Sequence, residues 1–568
     1  MKLAELQKKL KSAGLDGYLV SRGNMFLGQD VLDEENPILQ LTGFSGSAGE
    51  LIITKDKSYL FVDGRYELQA PAETNPDEVQ VICGQSLLGW CENNLPKDKT
   101  FKLGCNPWCQ SIEKTNRLQN ADSLELRFDD KFLPSQLSAK PAQVFEHKIE
   151  FCGISASEKL AETARSLTEK KLDAFLFCAA DSVSWLCNLR SDALPDTPIL
   201  RAYALVDKEC RLWLFGENLT GIPQIKFTSF DRLPQILRKF KHCTVGIDST
   251  QTPIQIKNLI QSAGAVAVCH TDCLQERKAI KNPIELEGIR NAHRRDAAAV
   301  CKFLYWLEHN CSNLTELDIV TQLHNFRAGG KNYVSESFGT IAAFGPDGAV
   351  VHYHPDSSHN RPLQNGSLLL LDSGAQYYDG TTDITRTIAI GDPEVEMINN
   401  FTLVLKSHIA LSSAVFPADT QGGALDALAR APLWAAGKDY NHGTGHGVGC
   451  FLNVHEGPFS IRKKTSGISP RPGMVTSIEP GFYKENAYGI RIENLAEIIA
   501  APEPELNGYL KFANLTLVPI DKRLVNKYLL SDGEINWLNT YHRQVCETIA
   551  PLLSADEQIW LQEACAPL

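Results

Sequence analysis

No stretch of this chain reaches the ~18 uninterrupted apolar residues that a membrane-spanning helix needs. Its N-terminus, MKLAELQKKLKSAGLDGYLV, has neither the apolar core nor the small-residue cleavage site of a secretory signal. Neither a membrane partner nor export is indicated, and a cytoplasmic protein is expected. Basic runs are short, as at Arg238 to Lys241 and Arg462 to Lys464, and the formal net charge is −12. Nucleic-acid affinity comes mostly from lysine and arginine on phosphates, so no nucleic-acid partner is expected. The glycines of GFSGSAG lack the GK[ST] of a phosphate loop and read as a tight turn. Paired-cysteine zinc motifs are missing too: Cys105/Cys109 and Cys269/Cys273, with His270 between the latter, have no second ligand pair nearby. The sixteen cysteines are scattered singly, and Cys178, Cys187 and Cys301 sit in apolar surroundings. They read as buried reduced thiols rather than disulfides.

The 568 residues, 43% hydrophobic and 22% charged, describe an ordinary globular protein too long for one core. Leu3, Leu6 and Leu10 among lysines predict an amphipathic first helix. Residues 1–150 alternate strand-like runs (LIIT, YLFVDG, VQVIC) with helices and turns, which is an α/β domain. A similar order recurs over 151–275, with strands around YALV and LWLF, and suggests an internal repeat of the first domain. Near Leu274 a long charged amphipathic run begins. Asn282 before Pro283, with Glu285 and Glu287 following, is a helix start, and a third domain is placed at 276–568. From Ser335 short β segments dominate, with helices expected around 396–415 and 420–436, giving an antiparallel α+β pattern before a helical tail.

The chemistry gathers in that third domain. Asp372 ends the apolar run LLLLD, and Asp383 begins an alternating segment. His446 follows in HGTGHGVG, Glu479 in SIEPG and Glu493 in GIRIEN. Any one of these acids alone reads as well as a solvated loop residue. Together, two Asp, one His and two Glu on glycine-bounded strands make a first shell for two divalent ions. Four crowded carboxylates resist ionising unless two dications balance them. Oxygen donors with one imidazole suit Mn²⁺, with Co²⁺ and Zn²⁺ as alternatives.

The spacing of the aspartates poses a problem. A two-residue hairpin tip at Asp379-Gly380 would set Asp383 opposite Gln376, four residues from Asp372, or about 13 Å at strand rise. That is too far for one metal, so the expectation is a longer, irregular connection instead of a tight hairpin. On the last motif, strand alternation puts Arg491, Glu493 and Leu495 on one face, where Arg491 can pair with a ligand carboxylate.

DSGAQYYDGTTDITRT, HGTGHGVGCFLNVHEGP and EPGFYKENAYGIRIEN closely resemble the metallopeptidases of the pita-bread fold, specifically the long three-domain cytosolic Xaa-Pro aminopeptidases. LTGFSGSAGE, VDGRY and KNPIELEGIRNAH extend the likeness to nearly the whole chain. The resemblance implies two creatinase-like α/β domains before a pita-bread catalytic domain with a C-terminal extension. It implies that Asp372, Asp383, His446, Glu479 and Glu493 hold two metals, with Glu479 also the general base and acid. His352 and His455 are then near the scissile carbonyl and the proline site. His442 and Tyr483 line the pocket or support it. Peptides with proline second are the implied substrates, since a site shaped for the ring accepts an amide that lacks N–H. A homodimer is implied as well. One departure stands out: SWLCNLRSDALPDTP lacks the glycine the pattern would place between Arg190 and Ser191. Prolidase-like dipeptidases share the five ligands, and non-catalytic pita-bread proteins share the fold; both remain as alternatives.

Overall fold

The computed structural model describes residues 2–95, 99–135, 137–311, 313–464 and 467–568. The chain divides into two compact units, one of Met1–Lys148 and Ile154–Leu274, the other of Ile149–Gly153 and Gln275–Leu568.

In the first unit, helix Leu3–Ala13 buries Leu3, Leu6 and Leu10 and stops at Gly14, whose φ of 66° a side-chain-bearing residue adopts only at a cost. Two six-stranded sheets follow. The first runs Val79–Cys83, Ser58–Val62, Glu50–Thr54, Gly17–Ser21, Phe101–Cys105, Leu124–Phe128. The second runs Phe227–Thr228, Leu212–Phe215, Tyr203–Asp207, Ala174–Phe177, Thr244–Ile247, Val266–Cys269. In both, the earliest strand lies between an antiparallel neighbour and a parallel one, and the outer pairs agree in direction as well. The repeat suspected from the sequence is therefore present as topology, with hairpin 50–62 equivalent to 203–215. Arg190 and Ser191 follow one another inside strand Leu189–Ser191, both buried. Arg190 donates to the carbonyls of Ser184 and Leu189, and Ser191 to that of Ile199, so the segment closes without the glycine.

The sixteen cysteines form no disulfide with one another. Cys178, Cys187 and Cys301 are buried, whereas Cys83, Cys210 and Cys269 are exposed, so burial does not extend to every thiol. Among the described residues, no helix is long and apolar enough to cross a membrane.

The second unit begins with helix Ile149–Cys152 and the long helix Pro283–Asn310. Asn282 caps the latter by accepting from the Ile284 and Glu285 N–H groups, and Glu285 reaches back to the Asn282 N–H. Such a reciprocal cap is worth about 1 kcal/mol and fixes where the helix starts. Two antiparallel sheets carry the site. One has three strands, Ile341–Phe344, Ser367–Ser373 and Ile384–Ile390. The other is ordered Val415–Pro417, Tyr509–Asn514, Asn494–Ala500, Val475–Ile478, Gly445–Gly447, Glu456–Ile461. Helices Val395–Ser412 and Gly422–Ala435 lie where the apolar periodicity predicts them. Leu369, Leu371, Ile388, Phe401, Leu405, Ile490 and Val545 share the largest core. Each fully buried side chain of this size contributes roughly 1.5–3 kcal/mol. Val545 belongs to helix Asp532–Ile549, so the C-terminal region is part of this core.

Candidate metal centre

The connection from Asp372 to Asp383 corrects the sequence reading, because it is a tight hairpin after all. Asp372 pairs with Thr385 and Ser373 with Ile384; beyond a break in the ladder, Gln376 pairs with Thr381 and Tyr377 with Gly380. The register is continuous, and the two-residue tip is Tyr378-Asp379, one residue earlier than the Asp-Gly signal suggests. Asp383 thus falls opposite Gly374, which makes Asp372 and Asp383 diagonal neighbours within reach of one ion. Gly374 is obligatory: a Cβ there would meet the Thr382 carbonyl oxygen at 2.0 Å.

Around this hairpin the other candidates converge. Asp383, His446 and Glu493 each offer a ligand atom within 4.8 Å of the other two. His446 Nε2 is 3.5 Å from Asp383 Oδ2 and 3.5 Å from Glu479 Oε1. His446 Nδ1 lies 2.9 Å from the Gly447 carbonyl, which leaves Nε2 as the metal-facing nitrogen. Asp372 Oδ2 accepts from Arg491 Nη2 at 2.6 Å, while its other oxygen is buried without a hydrogen-bond partner among the described residues. An orphaned carboxylate oxygen beside three convergent ligands is what a metal site needs, and the donor set fits two dications.

The electrostatics agree. Burial, then the charges of Asp372 and Glu479, push Asp383 well above the usual carboxylate range. Burial, then Asp383, Asp372 and Glu479, do the same to Glu493, and burial also raises Glu479. One guanidinium does not offset four acids. Burial works against the Arg491 charge as well, yet Tyr483, Asp372 and Glu479 outweigh it and raise its pKa.

Supporting side chains tie the ligands together. Thr385 donates to Glu493 Oε2 at 2.8 Å and accepts from Arg491 Nε at 3.1 Å. Arg491 Nη1 donates to Tyr483, whose hydroxyl lies 2.8 Å from His442 Nε2. Ser477 donates to Glu479 Oε1 and accepts from the His446 N–H. The sequence reading assigned no role to Thr385 or Ser477. Each lies two residues from a ligand on a strand, so alternation alone puts it on the ligand's face. The His455 ring meets that of His446 edge-on with centroids 4.4 Å apart. His352 is half-buried in the turn after Gly345–Ala349, next to Val351, whose carbonyl lies 3.5 Å from Arg491 Nη2.

Comparison with known proteins follows the same division of the chain. Residues 287–500 match metallopeptidase family M24, and 508–568 match the C-terminal region of that peptidase. Residues 2–127 and 135–285 each match a creatinase/prolidase N-terminal domain. The chain is 34% identical over 619 residues to aminopeptidase P2 of Arabidopsis thaliana, covering 98% of this chain and 86% of that one. It is 35% identical over 607 residues to a probable Xaa-Pro aminopeptidase P of Sordaria macrospora, covering 100% and 99%. Among solved structures it is similar to an X-prolyl aminopeptidase from Caenorhabditis elegans, described as a cytosolic enzyme with a di-nuclear active site. That match has 32% identity, covers 100% of both chains and has a TM-score of 0.93. The two repeated sheets are therefore creatinase-like domains, and the unit with the five convergent side chains is a pita-bread domain.

Proposed function

The chain belongs to the aminopeptidase P group of metallopeptidase family M24, and on that footing we propose how its residues divide the hydrolysis of an N-terminal Xaa-Pro bond. It is a metal-dependent aminopeptidase that acts with two divalent ions. The observation that carries the assignment of ligands is the convergence of Asp383, His446 and Glu493 beside the orphaned oxygen of Asp372. Asp372, Asp383, His446, Glu479 and Glu493 hold the pair, and the hard donor set favours manganese. When bound, two such ions activate water and polarise the scissile carbonyl.

The remaining work falls to side chains. Glu479, supported by Ser477, accepts the proton of the attacking water and returns it to the proline nitrogen as the bond breaks. His455, packed on His446, and His352 hydrogen-bond the peptide on either side of that bond. His442 has Nδ1 2.7 Å from the Gly443 carbonyl and Nε2 2.8 Å from the Tyr483 hydroxyl, so its ring is held at both nitrogens and braces the pocket wall. Arg491 fixes Asp372 and, through Thr385, the Glu493 carboxylate.

Residues 1–150, 151–275 and 276–568 are proposed as the three domains, the enzyme as a homodimer, and its compartment as the cytoplasm. Relatives that align end to end and carry the aminopeptidase name favour this reading over a dipeptidase or a non-catalytic protein. The test is a panel of Arg-Pro-Pro, Arg-Pro and Met-Ala-Ser with Mn²⁺, followed by product chromatography. Release of arginine from Arg-Pro-Pro is expected. Equal cleavage of Met-Ala-Ser would remove the proline assignment, and cleavage of Arg-Pro alone would favour the dipeptidase.

A further inference from the structure

Helix Gly422–Ala435 is docked closely on the sheet that carries His446 and leads into Glu479. Leu425 and Ala429 share a core with Phe459, Ile461 and Ile478, and a Cβ on Gly422 would meet the Ser460 carbonyl oxygen at 1.9 Å. Residues 436–444, which run from this helix to strand Gly445–Gly447, form neither helix nor strand. Their backbone polar groups therefore need partners from elsewhere. His442 lies in this segment, and its ring goes where the backbone there is held.

Two side chains one turn apart on the helix, Asp426 and Arg430, supply that hold, and both are buried. Arg430 Nε donates to Asp426 Oδ2 at 2.7 Å, which aims the guanidinium at the segment. Its Nη1 donates to Asp439 Oδ1 at 2.6 Å and to the Tyr440 carbonyl at 2.8 Å, and its Nη2 to the His442 carbonyl at 2.7 Å. Stacking follows the same order: Arg430 Cζ lies 3.8 Å from the centre of the Tyr440 ring, whose centroid is 4.8 Å from that of His442. Asp426 Oδ1 also accepts from the Thr444 hydroxyl, and the Thr444 carbonyl accepts from the Glu479 N–H at 2.8 Å. These contacts end at the site itself, since His442 Nε2 is 2.8 Å from the Tyr483 hydroxyl and Nδ1 is 3.9 Å from Glu479 Oε2. Charge balance alone does not explain the arrangement. Asp426 and Asp439 can pair with an ammonium as readily, whereas reaching both acids and two carbonyls at once takes a planar fork.

We propose that Arg430 is a positioning residue for the aminopeptidase reaction: gripped by Asp426 and Asp439, it fixes the backbone at Tyr440 and His442 and so sets the reach of the His442 ring toward Tyr483 and Glu479. None of these Arg430 hydrogen bonds goes to a metal ligand, so the residue acts through His442. This role rests on the reading of His442 as a pocket residue of an Xaa-Pro aminopeptidase.

Arg430→Lys in the full-length protein loaded with Mn²⁺ tests it, because lysine keeps the charge beside Asp426 and Asp439 and gives up the fork. With Arg-Pro-Pro as substrate, kcat is expected to fall about 10- to 100-fold, with KM within about twofold and two metals bound. On a His442→Ala background the same substitution should cost less than about twofold, since the group it positions is gone. The crystal structure of the loaded Arg430→Lys protein should show the His442 ring displaced from Tyr483 while Asp383, His446 and Glu493 keep their places. An unchanged kcat, a loss carried by KM or by missing metal, a loss that persists in full on His442→Ala, or an undisturbed His442 ring overturns the proposal. Full activity of His442→Ala would instead remove the reading of His442, and this role with it. Should Arg430→Lys fail to fold, Asp426→Asn decides, as it keeps an oxygen for the Thr444 hydroxyl and removes the charge that aims the guanidinium. A kcat that is unchanged, or lowered equally with and without His442, then rejects the role.

Discussion

Arg491 Nη2 lies 2.6 Å from Asp372 Oδ2, and its Nε and Nη1 reach Thr385 and Tyr483 in the same plane of donors. Lysine retains the charge but not the fork. Arg491→Lys is therefore expected to keep an ion pair with Asp372 yet release Thr385 and Tyr483. We expect kcat to fall about 10²-fold through misplaced ligands, with two metals still bound at saturating Mn²⁺. Steady-state kinetics with elemental analysis checks this, and an unchanged kcat would mean that the fork does not position the site.

Asp383→Asn and Glu479→Gln should each cost at least ~10³ in rate, one through metal binding, the other also through proton transfer. A variant that retains more than about a tenth of the activity would exclude its residue from that role.

Removing the metals leaves the buried carboxylates uncompensated, and each ion at 100 times its dissociation constant contributes ~2.7 kcal/mol. The second unit should therefore melt earlier after chelation and recover with Mn²⁺. Any separately resolved transition of the first unit should barely move, as it contributes none of the five side chains. Calorimetry on protein shown by elemental analysis to be metal-free makes the comparison; an unchanged profile would reject the compensated-carboxylate picture.

Acid should destabilise the second unit through His542. Burial, then the charges of Lys522 and Arg386, push its pKa down to about 3 from an ordinary 6.5, and its Nε2 accepts from the Ile520 N–H at 3.0 Å. A depressed histidine pKa means that its stabilisation is complete above pH 6.5 and is lost as pH falls toward 3. The slope is about 1.4 kcal/mol per pH unit inside that window. His542→Gln retains an acceptor without the titration, so chemical denaturation between pH 6.5 and 4.5 should give the variant a flatter profile. Identical slopes would show that His542 does not carry the effect.

How much of the molecule was legible in the sequence depended on how local the cause was. The stripe Leu3, Leu6, Leu10 and the cap at Asn282 are made by neighbouring residues, and both are found where the pattern places them. The five metal candidates were legible as residue types flanked by glycines. The hairpin tip was not, because Asp379-Gly380 is the stronger local turn signal while distant contacts choose Tyr378-Asp379. The Tyr378 N–H donates to the Asn332 carbonyl, Arg295 pairs with Asp379, and the Tyr378 ring packs on Phe151 and Phe451. Gly288 lets the long helix approach so closely that a Cβ there would meet the Asp379 carbonyl oxygen at 2.5 Å. Arg386 was equally silent, since its partners other than the Thr385 carbonyl come from segments more than a hundred residues away.

The continuous register between Asp372 and Asp383 also limits how this segment can change in length. A residue inserted into either arm, between 373 and 377 or between 380 and 382, shifts one aspartate along the ladder and turns its side chain to the opposite face. Residues added between Tyr378 and Asp379 would lengthen only the turn and leave both carboxylates in place, at the expense of the contacts that now hold the tip. The interval between the two aspartates is thus a ruler that is rigid in its arms and adjustable at its end, and a loop grafted there would hang from the same hairpin that fixes both ligands.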